Sequence, residues 1–544
     1  MKQNLIIVTF IACLFVLRAE ACTNFIVGRE ASADGSTMVS YAADSYALYG
    51  FLNYTPAADH PAGAMRAVKD WDTGKPLISI PEVAHTFRVV GNTNEHQLTI
   101  GETTWGGREE LWDTTGIDYG SLMYIALERC RTAREALQCM TDLVARYGYA
   151  SEGETFTIAD PNEVWIMDMV GKGQGGHGAV WVAARVPDDC ICAHANQARI
   201  TKIDWKDKKN WMWSKDIVSF AREKGYFTGK KDADFSFQEA YAPYDFSGLY
   251  VCEARVWSFF RRFNDDMDRY LDFASGKTFV ETGGKDCGER MPLWIKPNHK
   301  VSVQELKACM RDQYEGTPLD ITQGTDAGPW HSKLRFGSLT FELDSVVYWY
   351  ERPTATQQTG WSFVAQMRAN QPFGIVWFGV DDARTNLYVP LFTCLQEVPE
   401  CFREGNGDMY TYSPTSAWWT FNEVANRAYG KYEPMLQDIV QVQRSWEEKW
   451  ESQVTALDDK AATMPDNAAR DMLSRYSVAQ AQQSTQAWRE LGIYLLVKYL
   501  DGQQRKEQDG SFLRNEWGMP EGPMRPAFPE AFLRTIVPEI AHEN

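Results

Sequence analysis

Residues 22–45 read CTNFIVGREASADGSTMVSYAADS. Apolar runs at 25–27 and 37–41 flank the turn signal Ala33-Asp34-Gly35, so the stretch predicts a β-hairpin. Folding about that turn returns Asp44 to the start of the first strand, close to Cys22. The residues ahead give this cysteine its meaning. Leu5–Leu17 is apolar for 13 positions behind Lys2. That is shorter than the ~20 residues of a membrane-spanning helix and matches the core of a signal peptide. Ala19 and Ala21 then occupy the −3 and −1 positions of a signal-peptidase cut before Cys22. The expected mature chain is Cys22–Asn544, exported to the periplasm or beyond the cell.

A cysteine at the first position of a mature chain carries two useful groups. Its thiol is a strong nucleophile, and its α-amine, with a pKa of roughly 7.7–8.0, can act as a base near neutral pH. Nucleophile and base then share one residue, and no histidine is required. A cysteine after a signal peptide is also the mark of a bacterial lipoprotein, acylated on that residue. A good lipobox has Leu at −3 and a small residue at −2, where this chain has Ala19 and Glu20.

The rest of the chain narrows the field. A net charge of −18 makes nucleic acid and anionic membrane poor partners. Hydrophobic residues make up 44% and charged residues 24%, as in an ordinary folded soluble protein. Of the 11 cysteines, Cys13 leaves with the leader. Nine remain besides Cys22, an odd number, so at least one more thiol is free. Gly171-Lys-Gly-Gln-Gly-Gly176 matches a dinucleotide fingerprint, but a strand-like AVWVAARV follows where the fingerprint needs a helix. It reads as a hairpin turn. Neither G-x-S-x-G nor H-E-x-x-H occurs, and the eight histidines form no metal pair. No metal and no cofactor are expected.

Helical spacing marks 119–147 as two helices around Thr132, and 434–456 and 466–500 as long helices. Segments 155–170 and 179–186, and a block over 333–394, read as strands. The tail 508–544 is broken by Pro and Gly. One large catalytic domain over 22–414 is expected, with a helical C-terminal portion over 415–544 packed on it.

The opening stretch resembles the start of the N-terminal-nucleophile cysteine dipeptidases of the secreted dipeptidase A type, relatives of penicillin V acylase and bile salt hydrolase. Further blocks are similar in order: GNTNEHQLTIGETTW (91–105), TIADPNEVWIMDM (157–169), AHANQARI (193–200), YVCEARVW (250–257) and QMRANQPFGIVWFGVDDARTNLYVPLF (366–392). The resemblance implies an α+β fold of two stacked antiparallel sheets between helical layers, the αββα sandwich of the Ntn hydrolases. It implies Cys22 as nucleophile, Asp44 as the carboxylate bonded around it, Asn196 in the oxyanion hole and Arg255 as a positioning residue. Thr103 or Thr104 falls near a substrate contact. Tyr41 and Ala42 stand where these relatives carry Arg-Asn, which places Tyr41 at the substrate site with less positive charge beside the thiol. The activity implied is hydrolysis of dipeptides through a thioester, with homo-oligomer formation possible. Two alternatives are an amidase on acylated amino acids or bile-acid conjugates, and a non-catalytic lipoprotein.

Overall fold

The computed structural model describes residues 22–335 and 338–536; the leader read over 1–21 lies outside them. The opening hairpin forms as strands Thr23–Val27 and Thr37–Asp44, with Phe25 opposite Ser40 and Thr23 opposite Ala42. Asp34 holds the connection by accepting from Ser32 Oγ, Ser36 Oγ and the Ser36 amide. This is the local bonding that makes Asp a turn residue.

The hairpin lies inside an antiparallel seven-stranded sheet. Its order is Trp294–Ile295, Ile191–His194, Thr23–Val27, Thr37–Asp44, Thr359–Met367, Ile375–Val380 and Val389–Phe392. A second, eight-stranded antiparallel sheet is built around Ala179–Val186, Val164–Gly171, Gly153–Ala159 and Thr99–Trp105, neighbours in that order. The glycine-rich 171–178 segment is the hairpin turn expected, with Gly171 paired to Ala179. One apolar core joins Ile26 and Val39 of the first sheet to Ile166, Val170 and Val182 of the second.

Helices cover the remaining faces. Tyr119–Arg129 and Ala133–Tyr147 pack on the eight-stranded sheet. They are separate because Thr132 starts the second as its N-cap, accepting from the Glu135 amide. On the seven-stranded sheet, Phe259 of helix Ala254–Arg261 stacks on Phe25 with ring centroids 4.3 Å apart. The 33-residue helix Asp466–Lys498 buries Leu473, Trp488, Leu491 and Leu495. It also closes the edge strand: Ser477 Oγ accepts from the Phe392 amide at 3.1 Å, and Ser474 Oγ accepts from the Gln396 amide at 2.9 Å. The Phe392 amide would otherwise stay unpaired at the sheet edge, and the Gln396 amide in the segment that follows it. The chain is thus α+β, with antiparallel sheets and a helical C-terminal portion packed on them.

Candidate active site

The site forms where the first residues of the hairpin meet strand Thr99–Trp105. The ladder from that strand to Thr93–Asn94 pairs only Thr99 with Thr93. Beyond it, Asn24 Nδ2 donates to the Glu102 carbonyl at 2.6 Å. Gly101 makes the approach possible: a Cβ there would stand 2.3 Å from Asn24 Oδ1.

Cys22 sits at this junction. Its sulfur lies 3.6 Å from Tyr41 Oη, and Tyr41 Oη donates to Glu102 Oε1 at 2.6 Å. The Asp44 backbone amide also bonds to the sulfur. The hairpin therefore returns Asp44 to Cys22 as the sequence implies. Its carboxylate is directed to Arg352 Nη2 at 2.7 Å and Thr359 Oγ1 at 2.6 Å. Cys22 is half-buried overall. Packing around its sulfur pushes the thiol well above the ordinary cysteine range, and the charges of Glu102 and Asp44 push the same way. The Tyr41 hydroxyl and the Asp44 amide pull it down.

Arg255 ties the other residues to Cys22. It lies on the first turn of Ala254–Arg261, just after a wide π-type turn over Gly248–Glu253. Such turns recur at functional sites. The side chain is fully buried and uses all five N–H groups. Nε donates to the Val251 carbonyl at 2.9 Å. Nη1 donates to the Cys22 carbonyl and to Thr23 Oγ1, both at 2.8 Å. Nη2 donates to the Ala195 carbonyl at 3.2 Å and to Asn196 Oδ1 at 3.0 Å. Burial lowers the guanidinium's proton affinity, and neighbouring Arg352 lowers it further.

Asn196 is held in a left-handed backbone conformation, φ +62°. Its Nδ2 donates to the Thr104 carbonyl at 2.6 Å, which leaves its second N–H for another acceptor. The loop around it is fixed from two sides. Asp168 Oδ2 accepts from the amides of Arg199 and Ile200, and Arg199 pairs with Glu253 at 2.9 Å, all buried. Asp168 is raised to about 6 by that burial, against the opposing pull of its hydrogen bonds.

The two threonines divide. Thr104 bonds Glu154 Oε1 through its hydroxyl at 2.8 Å and lies beside Asn196. Thr103 faces away, its hydroxyl 2.7 Å from His194 Nδ1. His194 Nε2 meets Thr157 Oγ1 at 2.7 Å, so the ring is held between two hydroxyls inside the protein. Burial lowers its pKa from 6.5 to about 3. The unfolded chain takes up this proton below pH 6.5 and the folded chain does not until about pH 3. Stability is therefore complete above 6.5 and falls as pH drops toward 3, by on the order of 4 kcal/mol. His194→Gln, which keeps one donor and one acceptor, should flatten that part of the pH–stability curve in urea titrations. An unchanged slope would contradict the buried neutral histidine.

Residues 102, 154, 352 and 359 join the site without having been singled out in the sequence. Glu102 lies within the block 91–105, beside the threonines that were. Among the described residues, no group of three His, Cys, Asp or Glu side chains is placed to hold a metal. No helix among them is long and apolar enough to cross a membrane.

This is a site centred on one cysteine, served by buried carboxylates, an amide and a guanidinium. Residues 21–445 match the model of peptidase family C69, and the chain belongs to that family. A probable dipeptidase of Latilactobacillus sakei is 26% identical over 82% of this chain and 88% of the relative. A probable dipeptidase of Salmonella dublin is 28% identical over 55% of this chain and 68% of the relative. A dipeptidase of Bifidobacterium longum is 24% identical over 70% of this chain and 72% of the relative.

Proposed function

We propose that this chain is an exported dipeptidase that cleaves its substrate with Cys22 after the leader is removed. The observation that carries the reading is the Arg255 side chain, which joins the Cys22 carbonyl to Asn196 through bonds of 2.8 and 3.0 Å. One buried cation thereby fixes the nucleophile relative to a side-chain amide suited to an oxyanion. The names of the family relatives supply the substrate class, and the two antiparallel sheets with their helices are compatible with an N-terminal-nucleophile sandwich.

In this reading, loss of residues 1–21 frees the α-amine of Cys22. Burial of the sulfur, together with the charges of Glu102 and Asp44, favours the protonated thiol, so the attack calls for a base, and the freed amine supplies one. The neutral amine takes the thiol proton as Sγ attacks the peptide carbonyl. Asn196 Nδ2, with one N–H on Thr104 and one free, stabilises the oxyanion together with backbone amides. The amine then returns the proton to the departing amine, and water releases the thioester. Arg352 bonds Asp44, so a guanidinium from a distant segment enters the site despite Tyr41 and Ala42 replacing Arg-Asn.

Purified mature protein should hydrolyse unmodified dipeptides and leave acylated amino acids and bile-acid conjugates largely intact, as read by liberated amines. Cleavage of the conjugates with dipeptides untouched would contradict the substrate class.

A further inference from the structure

Glu102, which bears on the Cys22 thiol, and its neighbour Glu154 have no cation partner among the described residues. Glu154 faces Thr104 across the ladder, so Glu102 and Glu154 are diagonal neighbours on one face of the sheet. They are 1% and 0% exposed. Glu102 Oε1 accepts from Tyr41, and Glu154 Oε1 accepts from Thr104. The Oε2 atom of each is enclosed without a hydrogen-bond partner from another type of group. The two carboxyls lie within hydrogen-bond reach of one another, and Glu102 also reaches the Cys22 thiol.

Several other buried carboxylates in this protein hold cations or backbone amides: Asp44 has Arg352, Glu253 has Arg199, Asp382 has Lys333, and Asp168 has the Arg199 and Ile200 amides. Among the described residues Glu102 and Glu154 have none. Two touching carboxyls hold one proton between them and keep a single negative charge. That charge, with two oxygens still able to accept, complements a primary ammonium and its three donors. In a dipeptide the free ammonium sits on the carbon next to the carbonyl under attack. A group that reads it must therefore stand within a few bond lengths of the nucleophile; Glu102 bears directly on the Cys22 thiol, and Glu154 lies next to Glu102.

We propose that Glu102 and Glu154 together receive the α-ammonium of the substrate's first residue and so select unblocked dipeptides. The assignment rests on the dipeptidase reading. When the ammonium enters, it donates to the two free oxygens. Tyr41 and Thr104 hold the outer oxygens and fix the pair's orientation.

The test compares three substrates on mature protein: a dipeptide, its N-acetyl derivative and its des-amino analogue. The wild type should prefer the free dipeptide by about 100-fold in kcat/KM, mostly through KM, consistent with a charge-assisted contact. Glu154→Gln should shrink that ratio to within about 5-fold, and Glu102→Gln, which still accepts from Tyr41, should shrink it as well. Wild-type protein that cleaves all three equally overturns the assignment and leaves the peptidase reading standing, and it does so even if the variants fail to fold. A parallel fall on all three substrates in Glu154→Gln, with the ratio kept, also overturns it. No cleavage of any of them by the wild type overturns the dipeptidase reading and this assignment with it.

Discussion

Cys22→Ala should abolish dipeptide hydrolysis, by on the order of 10⁴-fold or more in kcat, with the fold intact. In this reading the thiol is the nucleophile, and the neighbours singled out surround the residue that carries it. Tyr41, the Asp44 amide and Glu102 meet the sulfur itself, and Arg255 holds the carbonyl of the same residue. Stability should change by less than about 1 kcal/mol, because the residue is half-buried and its removal leaves no cation unpaired. Equal melting temperatures with lost turnover confirm this. Retained turnover would remove Cys22 from the mechanism.

Arg255→Ala should be the most damaging substitution outside Cys22. The side chain is fully buried, and its five bonds end on Val251, Cys22, Thr23, Ala195 and Asn196. Removing it leaves those acceptors without their donors and opens a space the size of the side chain. Each buried acceptor left unpaired costs about 1–3 kcal/mol. A loss of about 3–5 kcal/mol in urea unfolding is expected. Arg255→Lys tests the geometry: it keeps the charge but loses the planar fork. It should recover part of the stability and stay at least about 100-fold below wild type in kcat, because one ammonium cannot hold the Cys22 carbonyl and Asn196 Oδ1 together. Full activity in Arg255→Lys would show that only the charge is needed there.

Much of this site is legible in the sequence where the contacts are local. The hairpin and the return of Asp44 to Cys22 follow from 23 residues with a turn at their centre. The two helices at 119–147 follow from apolar spacing and the Thr132 cap. Arg352 is different. It meets Asp44 across 308 positions, and neither residue's surroundings announce the other. Glu154 is likewise hidden, because its place beside Glu102 depends on the register between two strands. Thr103 and Thr104 show the limit most plainly. Both carry hydroxyls, but successive strand residues point to opposite faces. Only Thr104 lies beside Asn196, while Thr103 bonds a buried histidine.

The central claim is that Cys22 works as an N-terminal residue. The most direct measurement is the intact mass of the protein recovered from its export route, alone and after rapid mixing with a dipeptide. The account predicts a mass equal to Cys22–Asn544 with no added group, and a transient gain of one aminoacyl residue that Cys22→Ala does not show. An active protein that still carries residues 1–21, or whose Cys22 bears fatty-acyl groups, would contradict it.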